Sequence, residues 1–265
     1  MYRKEKMYIK VKEENGIRTC VLILFLDKSG SMSPREDDIY DAFKELMKKL
    51  ADQNETSLDV QIKIILVTFD NDVHVLNDTP LPPEQILELF ARSDYKCGGG
   101  TSLARVFTKL DNIFSRKDNG LLANLKPGDH YPMVVYVSDY ISTDEKKVYD
   151  DAKTALLSNR FYKKTRRLCL YIGNESHRSD AAELVGGEDN VVVFDPELVG
   201  TLLSPVLIGS TLLSTDMTHT NTNNETNTPA ELAEQEKKRA LEGSASAQAQ
   251  KDQQLHDELK KLLGF

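Results

Sequence analysis

Cys20-Val21-Leu22-Ile23-Leu24-Phe25-Leu26 is an unbroken apolar run that passes directly into Asp27-Lys28-Ser29-Gly30-Ser31-Met32. A strand with one wet face alternates apolar and polar residues, whereas a continuous aliphatic run of this length suits a strand covered on both faces by helices. Downstream, Ser33, Pro34 and Glu36 have the pattern of an N-cap, an N1 proline and the glutamate of a capping box. Ile39, Phe43, Leu46, Met47 and Leu50 then follow at helical spacing. The opening unit is therefore predicted as strand, turn, helix.

The alternation continues along the chain. Residues 59–69 (DVQIKIILVTF) read as a strand, and Asp70-Asn71-Asp72 as a hairpin turn into VHVL, a short antiparallel edge strand. Further strands are predicted at 133–138, 167–172 and 190–194. Helices are predicted at 84–90, 102–114, 144–158 (capped by Ser142 and Thr143) and 177–185, with another helix start at Asp195-Pro196. This order predicts an α/β fold: a doubly wound, mostly parallel central sheet with one antiparallel edge strand and helices on both faces, followed by a helical C-terminal tail. The expected division is an N-terminal extension at 1–17, the domain at 18–213, a flexible linker at 214–228 and the tail at 229–265. The linker is nearly free of apolar residues. In the tail, Leu255, Leu259, Leu262 and Leu263 form one apolar stripe for docking on a partner or self-association.

Composition narrows the function. In 265 residues there are 34 Lys plus Arg against 42 Asp plus Glu, a net charge of -8. That balance argues against nucleic acid and anionic lipid, which need clustered cationic side chains. The longest apolar stretches, 21–26 and the interrupted 202–213, fall short of the roughly 20 residues that span a bilayer. Neither nucleic acid nor membrane is an expected partner. The N-terminus, MYRKEKMYIKVKEENG, lacks the apolar core of a signal peptide. Cys20, Cys97 and Cys169 are odd in number and far apart, with no C-x-x-C spacing, which favours reduced thiols and a cytoplasmic protein. The five histidines are dispersed and form no ligand spacing.

The chemistry concentrates after the first strand. In open parallel sheets, ligands bind outside the carboxyl ends of the strands. There, Asp27, Ser29 and Ser31 offer one carboxylate and two hydroxyls within a tight turn, hard oxygen donors suited to magnesium. Asp139 follows the strand MVVYVS, and Thr101 follows the glycine run Gly98-Gly99-Gly100 at a helix entrance. A doubly wound sheet brings both toward Asp27, and the glycines let backbone approach the ion.

Asp-x-Ser-x-Ser after strand one, a lone Thr after a glycine-rich loop and an Asp after a central strand together resemble the von Willebrand factor A domain, over residues 18–213. The resemblance implies a metal-ion-dependent adhesion site made of Asp27, Ser29, Ser31, Thr101 and Asp139. In such a site the hydroxyls contact magnesium, with manganese or calcium as substitutes, the aspartates act through water, and one coordination position stays open for an Asp or Glu of a protein partner. It thus implies an intracellular protein-interaction module with no catalytic residues. Because neutral hydroxyls make the direct contacts and the carboxylates sit one shell out, the ion's charge is only partly neutralised and such a site favours an incoming anionic oxygen. The strings DKSGSM, CGGGTSL and YVSDYIST are similar to bacterial stress-response proteins of the tellurium-resistance type, which implies a stress-response or defence complex. Tyr140 departs from the family pattern, in which Gly commonly follows the aspartate, and this bears on the shape of the third loop.

The alternative is a magnesium-dependent phosphatase or phosphotransferase of haloacid-dehalogenase type, whose D-x-D-G-T/S motif also follows a buried strand. Here Ser29 stands where that motif has its second Asp, which removes the usual acid/base group. Asp70 and Asp72 are expected as ordinary turn residues rather than a second metal site, Lys28 as a solvent-facing cation and Cys97 as a packed thiol.

Overall fold

The computed structural model describes residues 17–58, 60–115, 121, 130–173, 175–200, 203–204 and 206–208, together with helical positions 231, 234, 235, 238 and 242. The elements run β1 (Arg18–Asp27), a 3-10 turn (Gly30–Arg35), α1 (Glu36–Thr56), β2 (Val60–Phe69), β3 (Val73–Val75), α2 (Pro83–Leu89), α3 (Leu103–Ile113), β4 (Met133–Ser138), α4 (Lys146–Ser158), β5 (Arg166–Ile172), α5 (Arg178–Val185) and β6 (Val191–Phe194).

The apolar run behaves as a doubly covered strand should. Alternate residues of β1 enter different cores: Leu22, Leu24 and Leu26 pack with Ile39, Phe43, Leu46 and Leu50 of α1, whereas Val21, Ile23 and Phe25 pack with Phe107 and Leu110 of α3 and Leu156 of α4. Each such side chain contributes about 1.5–3 kcal/mol of burial free energy, set against the conformational entropy lost on ordering. The six strands among the described residues lie in the order β3-β2-β1-β4-β5-β6. All pairings are parallel except β2 with β3, which is antiparallel at the edge. The expected fold class is what the structure shows.

This order positions the site. β1 pairs with β2 from Arg18 opposite Val60 to Asp27 opposite Phe69, and with β4 from Leu22 opposite Met133 to Leu26 opposite Val137. The chain leaves β1 toward one side of the sheet and later returns to its other side at β4. Such a reversal opens a crevice at the carboxyl ends of the two strands.

Two helix starts differ from expectation. Ser33 is not a cap: residues 30–35 form the 3-10 turn, α1 begins at Glu36, and no side chain caps it. Glu36 instead reaches out of its helix, accepting a hydrogen bond from the Cys97 amide at 2.7 Å and pairing with Arg92 at 2.7 Å. Ser142 and Thr143 do not cap α4, which starts at Lys146 without a side-chain cap. They serve the loops at the sheet rim. Ser102 does cap α3, accepting from the Arg105 amide, and the Asp195 side chain accepts from the Glu197 amide in the turn it opens.

No helix among the described residues is long and apolar enough to cross a membrane. The linker at 214–228, the leucine stripe at 255–263 and all but Ile17 of the N-terminal extension lie outside the described residues.

Candidate metal centre

Three loops converge on the carboxyl ends of β1 and β4. Asp27 closes β1 and is fully buried. Its Oδ1 accepts from the Ser29 amide at 2.8 Å and its Oδ2 from the Ser138 hydroxyl at 2.6 Å. Burial pushes the Asp27 carboxyl up to about 6; hydrogen bonds from Ser138 and Ser29 pull the other way, and the like charge of Asp139 adds to the rise. A cation beside this carboxylate would offset both unfavourable effects.

The turn after Asp27 brings the Ser29 and Ser31 hydroxyls to 3.0 Å from each other. The second loop is fastened to this turn by two backbone hydrogen bonds, Gly98 amide to Lys28 carbonyl at 2.8 Å and Gly30 amide to Gly99 carbonyl at 3.0 Å. Thr101 follows, buried, with its amide donating to the Thr143 hydroxyl at 3.2 Å and its carbonyl accepting from the Thr143 amide at 2.8 Å. Its own hydroxyl makes no hydrogen bond to any described residue. In the third loop, Asp139 Oδ1 accepts from the Ile141 amide at 3.1 Å, and Asp139 shares the wall of one cavity with Ser31. The five predicted residues thus occupy one rim: Asp27, Ser29 and Ser31 on a single turn, Thr101 and Asp139 on the loops interlocked with it.

The donor set is three hydroxyls and two carboxylates, all hard oxygens, which fits magnesium or another hard divalent cation rather than a thiolate or imidazole metal. Among the described residues no group of three or more His, Cys, Asp and Glu side chains forms a rival cluster. Asp70 and Asp72 are turn residues: the Asp72 amide donates to Asp70 Oδ1 at 2.9 Å, and Asp70 pairs with Lys28 at 3.3 Å. Lys28 is therefore a partly shielded ion-pair member rather than a free solvent-facing cation. Cys97 is half-buried, and burial first, then the nearby Glu36 carboxylate, pushes its thiol up to about 12. It has no thiolate character near neutrality.

Several residues that build the site carry no periodic or motif signal in the sequence. Ser138 anchors the Asp27 carboxylate, and the Tyr95 hydroxyl donates to the Asp27 carbonyl at 2.6 Å. Asp144 accepts from the Ser102 hydroxyl at 2.6 Å and from the Ala104 amide at 2.8 Å, holding the entrance of α3. Asn71 Oδ1 accepts from the Gly100 amide at 3.0 Å. Two glycines of the run have a packing reason as well. Gly99 sits at φ +72°, and a Cβ there would stand 2.7 Å from Asn71 Nδ2, while one on Gly100 would meet Asn71 Oδ1 at 2.7 Å and Thr143 Oγ1 at 2.9 Å. Gly99 and Gly100 make room for the Asn71 and Thr143 side chains that lock the loop, whereas a Cβ on Gly98 would meet nothing within 4 Å.

Tyr140 has φ +59°, the left-handed region that favours glycine. Its ring is buried against Phe107, and its hydroxyl lies near Tyr149 without a hydrogen bond of normal geometry. The departure at this position changes the side chain and keeps a glycine-type backbone.

No family model and no curated protein matches the sequence. Solved structures do. A von Willebrand factor type A protein from Catenulispora acidiphila is similar over 72% of this chain, with TM-score 0.51 and 16% identity. The fold is that of a von Willebrand factor A domain. Proximal thread matrix protein 1 from the mussel byssus, in a structure with a zinc-occupied metal-ion-dependent adhesion site, is similar over 73% of this chain, with TM-score 0.51 and 16% identity. The pilus adhesin SpaC from Lactobacillus rhamnosus GG, in an open conformation, is similar over 69%, with TM-score 0.52 and 12% identity. This von Willebrand factor A fold spans 42%, 48% and 29% of those three chains, respectively.

Proposed function

We propose that the protein is a metal-dependent protein-interaction module rather than an enzyme. Asp27, Ser29, Ser31, Thr101 and Asp139 would hold a magnesium ion, for which manganese or calcium substitutes. When bound, the ion supplies Lewis-acid attraction for a carboxylate oxygen from an Asp or Glu of a partner protein. The chain's own part is preorganisation: the Ser29 amide and Ser138 fix Asp27, the zipped backbones of residues 28–30 and 98–99 fix the hydroxyl-bearing turn, and Thr143 fixes Thr101. The observation that carries the proposal is the Ser29–Ser31 hydroxyl pair, 3.0 Å apart beside a buried carboxylate at the switch point of the sheet.

The free cysteines among the described residues are compatible with a reducing compartment, and we assign the module to the cytoplasm. The motif similarity supports a bacterial stress-response or defence complex, with the C-terminal helix as a further docking or self-association element. The haloacid-dehalogenase alternative finds no support in the fold comparison, and Ser29 lacks the acid/base group it needs.

Calorimetric titration with magnesium chloride tests the metal: a saturable heat is expected from the wild type, and its absence, or equal heat with Asp27→Ala, would count against the proposal. A pull-down from the native cell, run in magnesium and again with chelator, tests the partner. The expected outcome is a bound protein that chelator releases.

A further inference from the structure

Three consecutive amides in the loop that carries Thr101 are each held by an oxygen from another loop. The Gly100 amide donates to Asn71 Oδ1 at 3.0 Å, the Thr101 amide to the Thr143 hydroxyl at 3.2 Å, and the Ser102 amide to the Asp70 carbonyl at 2.7 Å. Two of these three acceptors belong to the turn between β2 and β3. The same hairpin also grips the serine-bearing turn: the Lys28 amide donates to the Phe69 carbonyl at 2.8 Å, and the Lys28 ammonium pairs with Asp70 at 3.3 Å. Asp72 pairs with Arg105 in the first turn of α3, directly after Thr101 and Ser102. Residues 69–72 therefore bracket two of the three loops of the rim and set how far the Thr101 hydroxyl stands from those of Ser29 and Ser31.

The hydroxyl pair gives the size of the ion. Ser29 Oγ and Ser31 Oγ are 3.0 Å apart. Two oxygens at right angles around magnesium, each about 2.0–2.1 Å from it, stand about 2.9–3.0 Å apart; at the same angle around calcium, at about 2.3–2.6 Å, they stand about 3.3–3.7 Å apart. Selection between these ions follows cavity size and rigidity, since their charge is the same. Resting on the metal-dependent reading above, we infer that Asn71 is a positioning residue that sets the ion selectivity of the site. By holding the Gly100 amide it keeps Thr101 close, and it opposes the outward shift of roughly 0.4 Å that a calcium ion asks of its oxygens. Asn71 acts through the backbone beside Thr101, whereas Asp70 holds Ser102 by its own carbonyl, so a side-chain substitution at 71 loosens one side of the clamp and leaves the other in place.

Parallel calorimetric titrations of the full chain with magnesium chloride and calcium chloride test this. The wild type should bind magnesium at least about tenfold tighter than calcium. Asn71→Ala should weaken magnesium binding about tenfold and change calcium binding little, so that the preference falls by about the same factor. Asn71→Asp keeps the oxygen acceptor and should restore the preference, because its added charge acts on both ions alike. Asn77→Ala separates selectivity from plain destabilisation. The Asn77 side chain bonds the Leu66 amide and the Ile64 and Thr79 carbonyls, none of them in the glycine loop, so its loss should lower the melting temperature and leave the preference intact. A wild-type protein that binds the two ions equally overturns the inference whatever the variants do. So does an Asn71→Ala variant that loses both ions in equal proportion, or an Asn77→Ala variant that shifts the preference as much. In each of those cases the metal site itself stands. No saturable heat from the wild type with either ion overturns both.

Discussion

At the tip of β1, Asp27 is enclosed with both carboxylate oxygens engaged, one by an amide and one by a hydroxyl; at the tip of β4, Asp139 gives one oxygen to the Ile141 amide and borders a cavity. The two aspartates occupy neighbouring strand ends of one sheet, yet they are built for different work. Asp27 organises: its bonds shape the serine-bearing turn and tie β1 to β4. On the proposed metal-binding reading Asp139 presents: its second oxygen accepts no hydrogen bond from a described residue, and the residue borders the cavity it shares with Ser31. Equivalent sequence positions after buried strands thus acquire unequal roles from the loops around them.

Substitution can break this comparison. Asp27→Ala should weaken magnesium binding more than about 100-fold, since it removes a donor and releases the Ser29 turn together. Circular dichroism should still show a folded domain while calorimetry shows no heat. Asp139→Ala should cost about 10- to 100-fold in the same titration, with a smaller change in melting temperature than Asp27→Ala because it frees only one amide. Equal losses in the two variants would contradict the division into organiser and presenter.

Two smaller effects sharpen it. Tyr140→Phe deletes a buried hydroxyl that lacks a good partner and leaves the left-handed backbone and the ring packing in place. Denaturant unfolding should show it unchanged or stabilised by up to about 1 kcal/mol. The last concerns Glu36, which holds residues 92–97 against α1. The Cys97 amide first, then Arg92, keeps its carboxyl below the ordinary value of 4.5. A lowered carboxyl contributes stability above its unfolded value and loses it as the pH falls through the folded one. Wild-type protein should therefore lose stability below about pH 4.5 through this group, and Glu36→Gln should lack that part of the acid dependence, an effect of at most about 1 kcal/mol for a partly exposed ion pair.

The legible parts of this molecule are those written in local patterns. The apolar run at 20–26, the hairpin at 70–72 and the strand at 133–138 match the observed elements closely because burial on both faces, turn chemistry and strand composition all act within a few residues. The helix caps at Ser33, Ser142 and Thr143 were misleading. Ser and Thr offer the same hydroxyl to a helix end or to a neighbouring loop, and only the packed loop decides which amide or carbonyl is within reach. Glu36 shows the same limit, leaving a capping-box pattern to hold a segment some sixty residues away.

For the site, Asp27, Ser29, Ser31, Thr101 and Asp139 could be named from spacing and position after strands, and the structure brings them to one rim. Their supports could not: Ser138, Tyr95 and Asn71 each act through one long-range hydrogen bond and Asp144 through two, and such bonds have no periodicity. The sequence by itself determined the alternation of strand and helix and the doubly covered first strand, since these follow from side-chain hydrophobicity and short-range backbone preference, and it supplied the candidate oxygen donors of the proposed metal site. Tertiary structure alone decided that both Asp27 oxygens are engaged while only one of Asp139 is, which neighbours Gly99 and Gly100 make room for and how the three loops interlock, because each depends on atoms brought together from distant parts of the chain by the strand order.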